Sequence, residues 1–118
     1  MISDWPQATR DLSAMLRDLR GGAASDAMKN FSALAQTATK AGALDAKTKE
    51  LIALAIGVAI RCDDCIAFHA KAAAQLGATR EEVEETLSMA IYMGAGPSVM
   101  YSSHALQAFN QFSEAKAD

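Results

Sequence analysis

The chain has 118 residues and a mass of 12.4 kDa, enough for one domain with a single core and too short for two. Alanine occurs 26 times, while Val, Ile and Thr together occur 15 times. Alanine costs least in a helix and β-branched residues favour strands, so an all-α fold is predicted and a β-sandwich or doubly wound sheet is excluded. Eleven basic against fourteen acidic residues leave a net charge of −3. No stretch is basic enough to follow a phosphate backbone and the aromatics show no stacking pattern, which disfavours nucleic-acid binding.

Apolar residues make up 51% of the chain. That is rich for a small domain whose surface should be polar, and the surplus predicts a homo-oligomer that covers it. The first ten residues contain no apolar run of signal-peptide type. The longest such run, residues 51–60, is ten residues counting Gly57, about half a bilayer span. A cytoplasmic protein without a membrane segment is expected, in which a disulfide is transient rather than structural.

Six helices in one compact domain, residues 1–118, are predicted in chain order. The first covers about 4–20, with Asp4 placed to accept from the free N–H groups of the first turn and Gly21-Gly22 to stop it. The second covers about 25–40, where Met28, Phe31, Leu34, Ala35 and Ala38 recur at helical spacing. The third starts near Asp45 and carries the apolar run to about 61. Glu50 stands just before that run and shares a face with Leu54 and, less closely, with Gly57 and Arg61. The fourth covers about 63–76 and is closed by Gly77. Thr79-Arg80-Glu81-Glu82 reads as a capping box that opens a fifth helix to about 93. Gly94-Ala95-Gly96-Pro97 is a break, and Pro97 suits the first position of a sixth helix ending near 112.

The chemistry-bearing pattern is Cys62, Cys65 and His69, spaced Cys-x-x-Cys-x-x-x-His. With a helix starting at Asp63 or Asp64, Cys62 lies at its mouth, facing solvent, and Cys65 lies in its first turn. His69 falls one turn later on the face of Cys65. Thiols so placed can close a short-loop disulfide, and the imidazole can take or deliver a proton when a thiolate attacks. Terminal N–H groups favour a thiolate, above all at Cys65, while Asp63 and Asp64 oppose it and Arg61 offsets part of that opposition.

Blander readings compete with this one. The cysteines could be small buried residues without a reaction. Cys62, Cys65, His69 and His104 have the types and number of a zinc site, but His104 lies 35 residues beyond His69 and would have to be brought to the helix mouth. Glu50 near the first turn could simply complement the helix dipole. His104 reads as a packing or interface histidine. Trp5, Tyr92, Tyr101 and the six methionines read as core or subunit-interface packing.

A glutamate, eleven intervening residues and then Cys-x-x-Cys-x-x-x-His occur here as Glu50, Cys62, Cys65 and His69. With residues 49–55 and 92–97, this pattern resembles the alkylhydroperoxidase D-like family, within the broader carboxymuconolactone decarboxylase superfamily. The resemblance covers about residues 45–112, with the motif in 50–69. It implies an all-helical fold and assembly as trimers or as hexamers built from trimers. It implies a hydroperoxide substrate, with Cys65 as the attacking and Cys62 as the resolving cysteine. His69 and Glu50 would relay the proton. No bound cofactor or metal is implied, only an external dithiol donor of dihydrolipoyl or thioredoxin-like type. Well-characterised peroxidases of the family carry a histidine immediately before the second cysteine, where this chain has Asp64. The alternatives are a non-catalytic or redox-sensing oligomer, or a decarboxylase or lactone-handling enzyme, which would not depend on a cysteine pair.

Overall fold

Helix punctuation in the sequence is followed closely in the computed structural model, which describes residues 1–117. Five helical runs result: α1 (Trp5–Arg20), α2 (Ser25–Thr39), α3 (Ala46–Ala59), α4 (Asp63–Gln75) and α5 (Arg80–Ala117). Among the described residues all regular secondary structure is helical, as the alanine-rich composition predicts.

The starts of α1, α3 and α5 are side-chain caps, whereas α2, with Ala24 at its N-cap, has none. Asp4 accepts the Gln7 N–H at 3.0 Å, and Asp45 accepts the Thr48 N–H at 2.7 Å. Thr79 Oγ1 accepts the Glu82 N–H at 3.1 Å while Glu82 Oε1 accepts the Thr79 N–H at 2.9 Å, so the predicted capping box closes in both directions. Two helix ends share one device. At the end of α4 the Gly77 N–H reaches Ala74 O and the Ala78 N–H reaches Ala73 O, with Gly77 at φ +81°. At the end of α3 the Arg61 N–H reaches Val58 O and the Cys62 N–H reaches Gly57 O, with Arg61 at φ +58°. Both are Schellman ends, and the second places an arginine where glycine is usual.

The predicted break at 94–97 is present, and it separates two helical segments across a kink. Ala95 departs from helical geometry at φ 54°, ψ −138°, and Pro97 re-enters a helix at once, so α5 is two helical segments that meet at a kink. Proline needs no N–H partner in a first turn, which lets the chain resume without loop residues. The five runs therefore contain the six helical segments predicted.

The α3, α4 and α5 helices pack on one another, and α1 lies across α4 and α5. Leu54 and Val58 from α3, Ile66 and Ala70 from α4, and Val83, Ala105 and Ala108 from α5 are almost entirely excluded from solvent. Each buried Leu, Ile or Val contributes roughly 1.5–3 kcal/mol, and the alanines let the helix backbones approach. Trp5 is 1% exposed. Its indole N–H donates to Gln107 Oε1 at 2.9 Å and its backbone N–H to Gln111 Oε1 at 2.8 Å, tying the start of the chain to the far end of α5. Tyr92 and Met93, at 78% and 77% exposed, do not belong to this core.

Lys47 on α3 pairs with Glu82 on α5 at 2.8 Å. That hydrogen bond holds the Glu82 carboxyl below its ordinary range and the Lys47 ammonium above its own. Hydrogen bonds from Thr48 likewise lower Asp45. A lowered carboxyl contributes stability above its unfolded-state value and loses it as the pH falls through the folded one. The melting temperature is therefore expected to decline as the pH drops below about 4.3, and Glu82→Gln should flatten that decline. An unchanged slope in Glu82→Gln would contradict the assignment. Arg61→Gly is expected to stabilise the protein by about 0.5–1 kcal/mol in denaturant unfolding, because the left-handed conformation is costly for arginine. A loss of stability would show that the turn carries no such cost.

Candidate active site

Two helices joined by a three-residue turn, residues 60–62, build the site. Cys62 ends the α3 turn through its backbone N–H, bonded to Gly57 O at 2.9 Å. The same residue is the N-cap of α4, where its Sγ accepts the Cys65 N–H at 3.2 Å. The chain thus reverses direction with no residue to spare. Cys62 and Cys65 have Cα atoms 5.2 Å apart and are joined as a disulfide.

One turn further along α4, His69 meets Glu50 of α3. Glu50 is only 8% exposed, and its Oε2 lies 2.6 Å from His69 Nδ1. A carboxylate can only accept a hydrogen bond, so Nδ1 carries a hydrogen, and in the neutral ring Nε2 is the acceptor nitrogen. A buried carboxylate without a partner would be expensive; here the pairing fixes both the ring's orientation and its tautomer. Dipole complementarity near the start of α3 is thus a minor part of what Glu50 does.

The four residues read from the spacing form two pairs: Glu50 meets His69 between α3 and α4, and Cys62 is joined to Cys65 at the mouth of α4, one turn before His69. Two details differ from the sequence expectation. The N–H···S hydrogen bond at the α4 terminus serves Cys62, not Cys65, because Cys62 occupies the capping position. Nor does exposure separate the thiols, since both cysteines are half-buried. In sequence position His69 lies one helical turn beyond Cys65. Asp64 is exposed, whereas Asp63 Oδ1 is buried with no hydrogen-bond partner among the described residues.

His104 is not part of this arrangement. Its ring packs on Tyr101 with centroids 5.3 Å apart, tilted by 59°. Among the described residues no group of three or more His, Cys, Asp and Glu is placed to hold a metal ion. Sequence reasoning gave Gly57 no part beyond a shared face with Glu50. The available signal was a glycine interrupting an apolar helix where alanine would be favoured.

The carboxymuconolactone decarboxylase family matches residues 25–108. Among solved structures, a family member from Legionella pneumophila in its apo form is 53% identical with a TM-score of 0.89, over 94% of this chain and 99% of that one. A Thermotoga maritima member, for which involvement in an antioxidative response has been suggested, is 30% identical with a TM-score of 0.78, over 98% of this chain and 94% of that one. An uncharacterized protein from Cupriavidus necator is 42% identical over 108 residues, covering 86% of this chain and 96% of its own length. A second uncharacterized protein, from Haemophilus influenzae, is 38% identical over 110 residues, covering 93% of this chain and 96% of its own. The fold is the alkylhydroperoxidase D-like helical bundle, and the chain belongs to the carboxymuconolactone decarboxylase family.

Proposed function

We propose that the protein is a thiol-dependent hydroperoxide reductase. The observation that carries this is the Cys62–Cys65 disulfide at the mouth of α4 with the half-buried Glu50–His69 pair one turn behind it. The whole chain, residues 1–118, serves as one domain around that motif. Cysteine chemistry is preferred to the decarboxylation in the family's name, because decarboxylation would leave the cysteine pair without work.

In the reaction His69 takes the Cys65 proton through Nε2, and Glu50 stabilises the imidazolium that forms. The Cys65 thiolate attacks a peroxide oxygen, the O–O bond breaks, and the alkoxide leaves as an alcohol with the proton returned by His69. Cys65 is now a sulfenic acid. The Cys62 thiol attacks its sulfur, water departs, and the disulfide seen in the structure results. An external dithiol donor, dihydrolipoyl or thioredoxin-like, then reduces the pair and is itself oxidised to a disulfide. No bound cofactor enters this cycle. Asp63 and Asp64 oppose thiolate formation and Arg61 offsets part of that effect, so the proton relay carries the activation. A reducing cytoplasm is the setting that would keep such a pair cycling.

We propose in addition that the chain assembles as a trimer or as a hexamer built from trimers. Supporting this, α2 buries none of its residues within the chain, and its Phe31 and Leu34 are 63% and 62% exposed. Ile52 and Ile56 on α3, Ile60 just after it, and Tyr92 and Met93 on α5 are exposed as well. Unpartnered apolar faces of this kind belong at subunit interfaces. No helix among the described residues is long and apolar enough to cross a membrane.

Cys65→Ser is expected to abolish hydroperoxide consumption by the reduced protein. Cys62→Ser should consume about one equivalent and stop as a sulfenic or overoxidised species, read by intact mass. Single mutants that both match the parent protein would sink the peroxidase mechanism, and an inert Cys62→Ser beside an active Cys65→Ser would reverse the roles. Glu50→Gln and His69→Ala should slow the first step by about 10²- to 10⁴-fold in stopped-flow kinetics. Both should still form the disulfide with a chemical oxidant. Sedimentation equilibrium should give three or six times the 12.4 kDa chain mass; a stable monomer at micromolar concentration would refute the assembly.

A further inference from the structure

Gly57 touches both cysteines, each in a different way. Its carbonyl oxygen holds the Cys62 N–H at 2.9 Å. Its missing side chain leaves room for Cys65: a Cβ on Gly57 would lie 3.3 Å from Cys65 Cβ, 3.5 Å from Ile66 N and 3.6 Å from Ile66 Cγ1. The first of these distances is tighter than ordinary contact, so Cys65 would have to give way by a few tenths of an ångström. Gly57 is also buried within α3, where alanine would favour the helix more. Intrinsic propensity gives no reason for a glycine here. The approach of Cys65 does.

Whether Cys65 can give way depends on its oxidation state. In the disulfide form it belongs to a closed circuit. Gly57 O holds Cys62 N–H, Cys62 Sγ accepts Cys65 N–H, and the sulfurs are joined. Displacing Cys65 from α3 disturbs every link of that circuit. Once the pair is reduced the S–S link is gone, and the first turn of α4 can back away at lower cost. An added methyl group therefore penalises the disulfide more than the dithiol.

We propose that Gly57 is a positioning residue that sets the dithiol–disulfide equilibrium of Cys62 and Cys65, favouring the disulfide by letting α4 seat Cys65 against α3. The inference rests on the redox reading of the pair, and its test uses no peroxide, so the two can fail separately.

The full-length protein and Gly57→Ala would each be equilibrated with glutathione buffers. Protein disulfide and two glutathione thiols exchange for protein dithiol and one glutathione disulfide. Alkylation and intact mass give the dithiol fraction. The Gly57→Ala equilibrium should move toward the dithiol by about fivefold or more. Its oxidised form should melt lower than the oxidised parent, while its reduced form melts at or above the reduced parent. Ala59→Gly, an exposed change in the same helical turn, should leave the midpoint where it is. A purely structural role would move both oxidation states together and leave the equilibrium unchanged. A Gly57→Ala midpoint within twofold of the parent, or an equal shift in Ala59→Gly, overturns the inference. So does a reduced Gly57→Ala that no longer folds cooperatively, because the dithiol form must accommodate the methyl. A parent protein whose cysteines do not exchange with glutathione overturns both this inference and the redox reading.

Discussion

The direction change between α3 and α4 is the constraint on which the site depends. It is made in three residues, and Cys62 completes both its halves. The Cys62 backbone closes the end of one helix through Gly57, while its side chain caps the start of the next through Cys65. Free helix ends carry unsatisfied N–H and C=O groups that must find partners. Here the partner is a reactive residue, so the same hydrogen bonds that terminate the helices also locate the sulfur. A residue added to or removed from this turn would rotate α4 about its axis and carry His69 away from Glu50.

That turn accounts for the strain observed beside the cysteines. A Schellman end demands a left-handed residue just before Cys62, and Arg61 takes that conformation, whereas Gly77 supplies it at the end of α4. The comparison within one molecule shows that the fold can use glycine where it suits. At the redox turn it keeps a cation next to two aspartates instead, which moderates the negative field around the pair. The cost is local. It is borne by a compact three-helix core of Leu54, Val58, Ile66 and Val83, whose packing leaves α3 and α4 little freedom to separate.

What was legible in the sequence was whatever is decided within a few residues. Asp4, Asp45 and Thr79 announce helix starts because a cap reaches only three residues ahead, and all three make those bonds. Cys62, Cys65 and His69 could be placed on one end and one face of a helix from spacing alone. Glu50 was visible as an acid bordering an apolar run, but its partner depends on the relative register of two helices, which no local pattern contains. Gly57 stayed hidden for the same reason, since its meaning lies in what approaches it from α4. The thiol that receives the terminal N–H was assigned to the wrong cysteine, because which residue caps and which enters the first turn turns on a single position. That the last two predicted helices meet at a kink with no loop between them depended on a backbone angle at Ala95 that an alanine rarely adopts.

The clamp at Trp5 has a consequence of a different kind. Its bonds to Gln107 and Gln111 span 102 and 106 positions of the chain, nearly the greatest separation available. Contacts of such span cost the most loop entropy to close and are favourable only when the intervening helices are already compact. The two ends of the polypeptide are therefore fastened late in folding and early to open. Trp5 is also the only tryptophan in the sequence, sealed from water when the clamp is shut. Its fluorescence is thus a natural optical readout of whether the ends are joined.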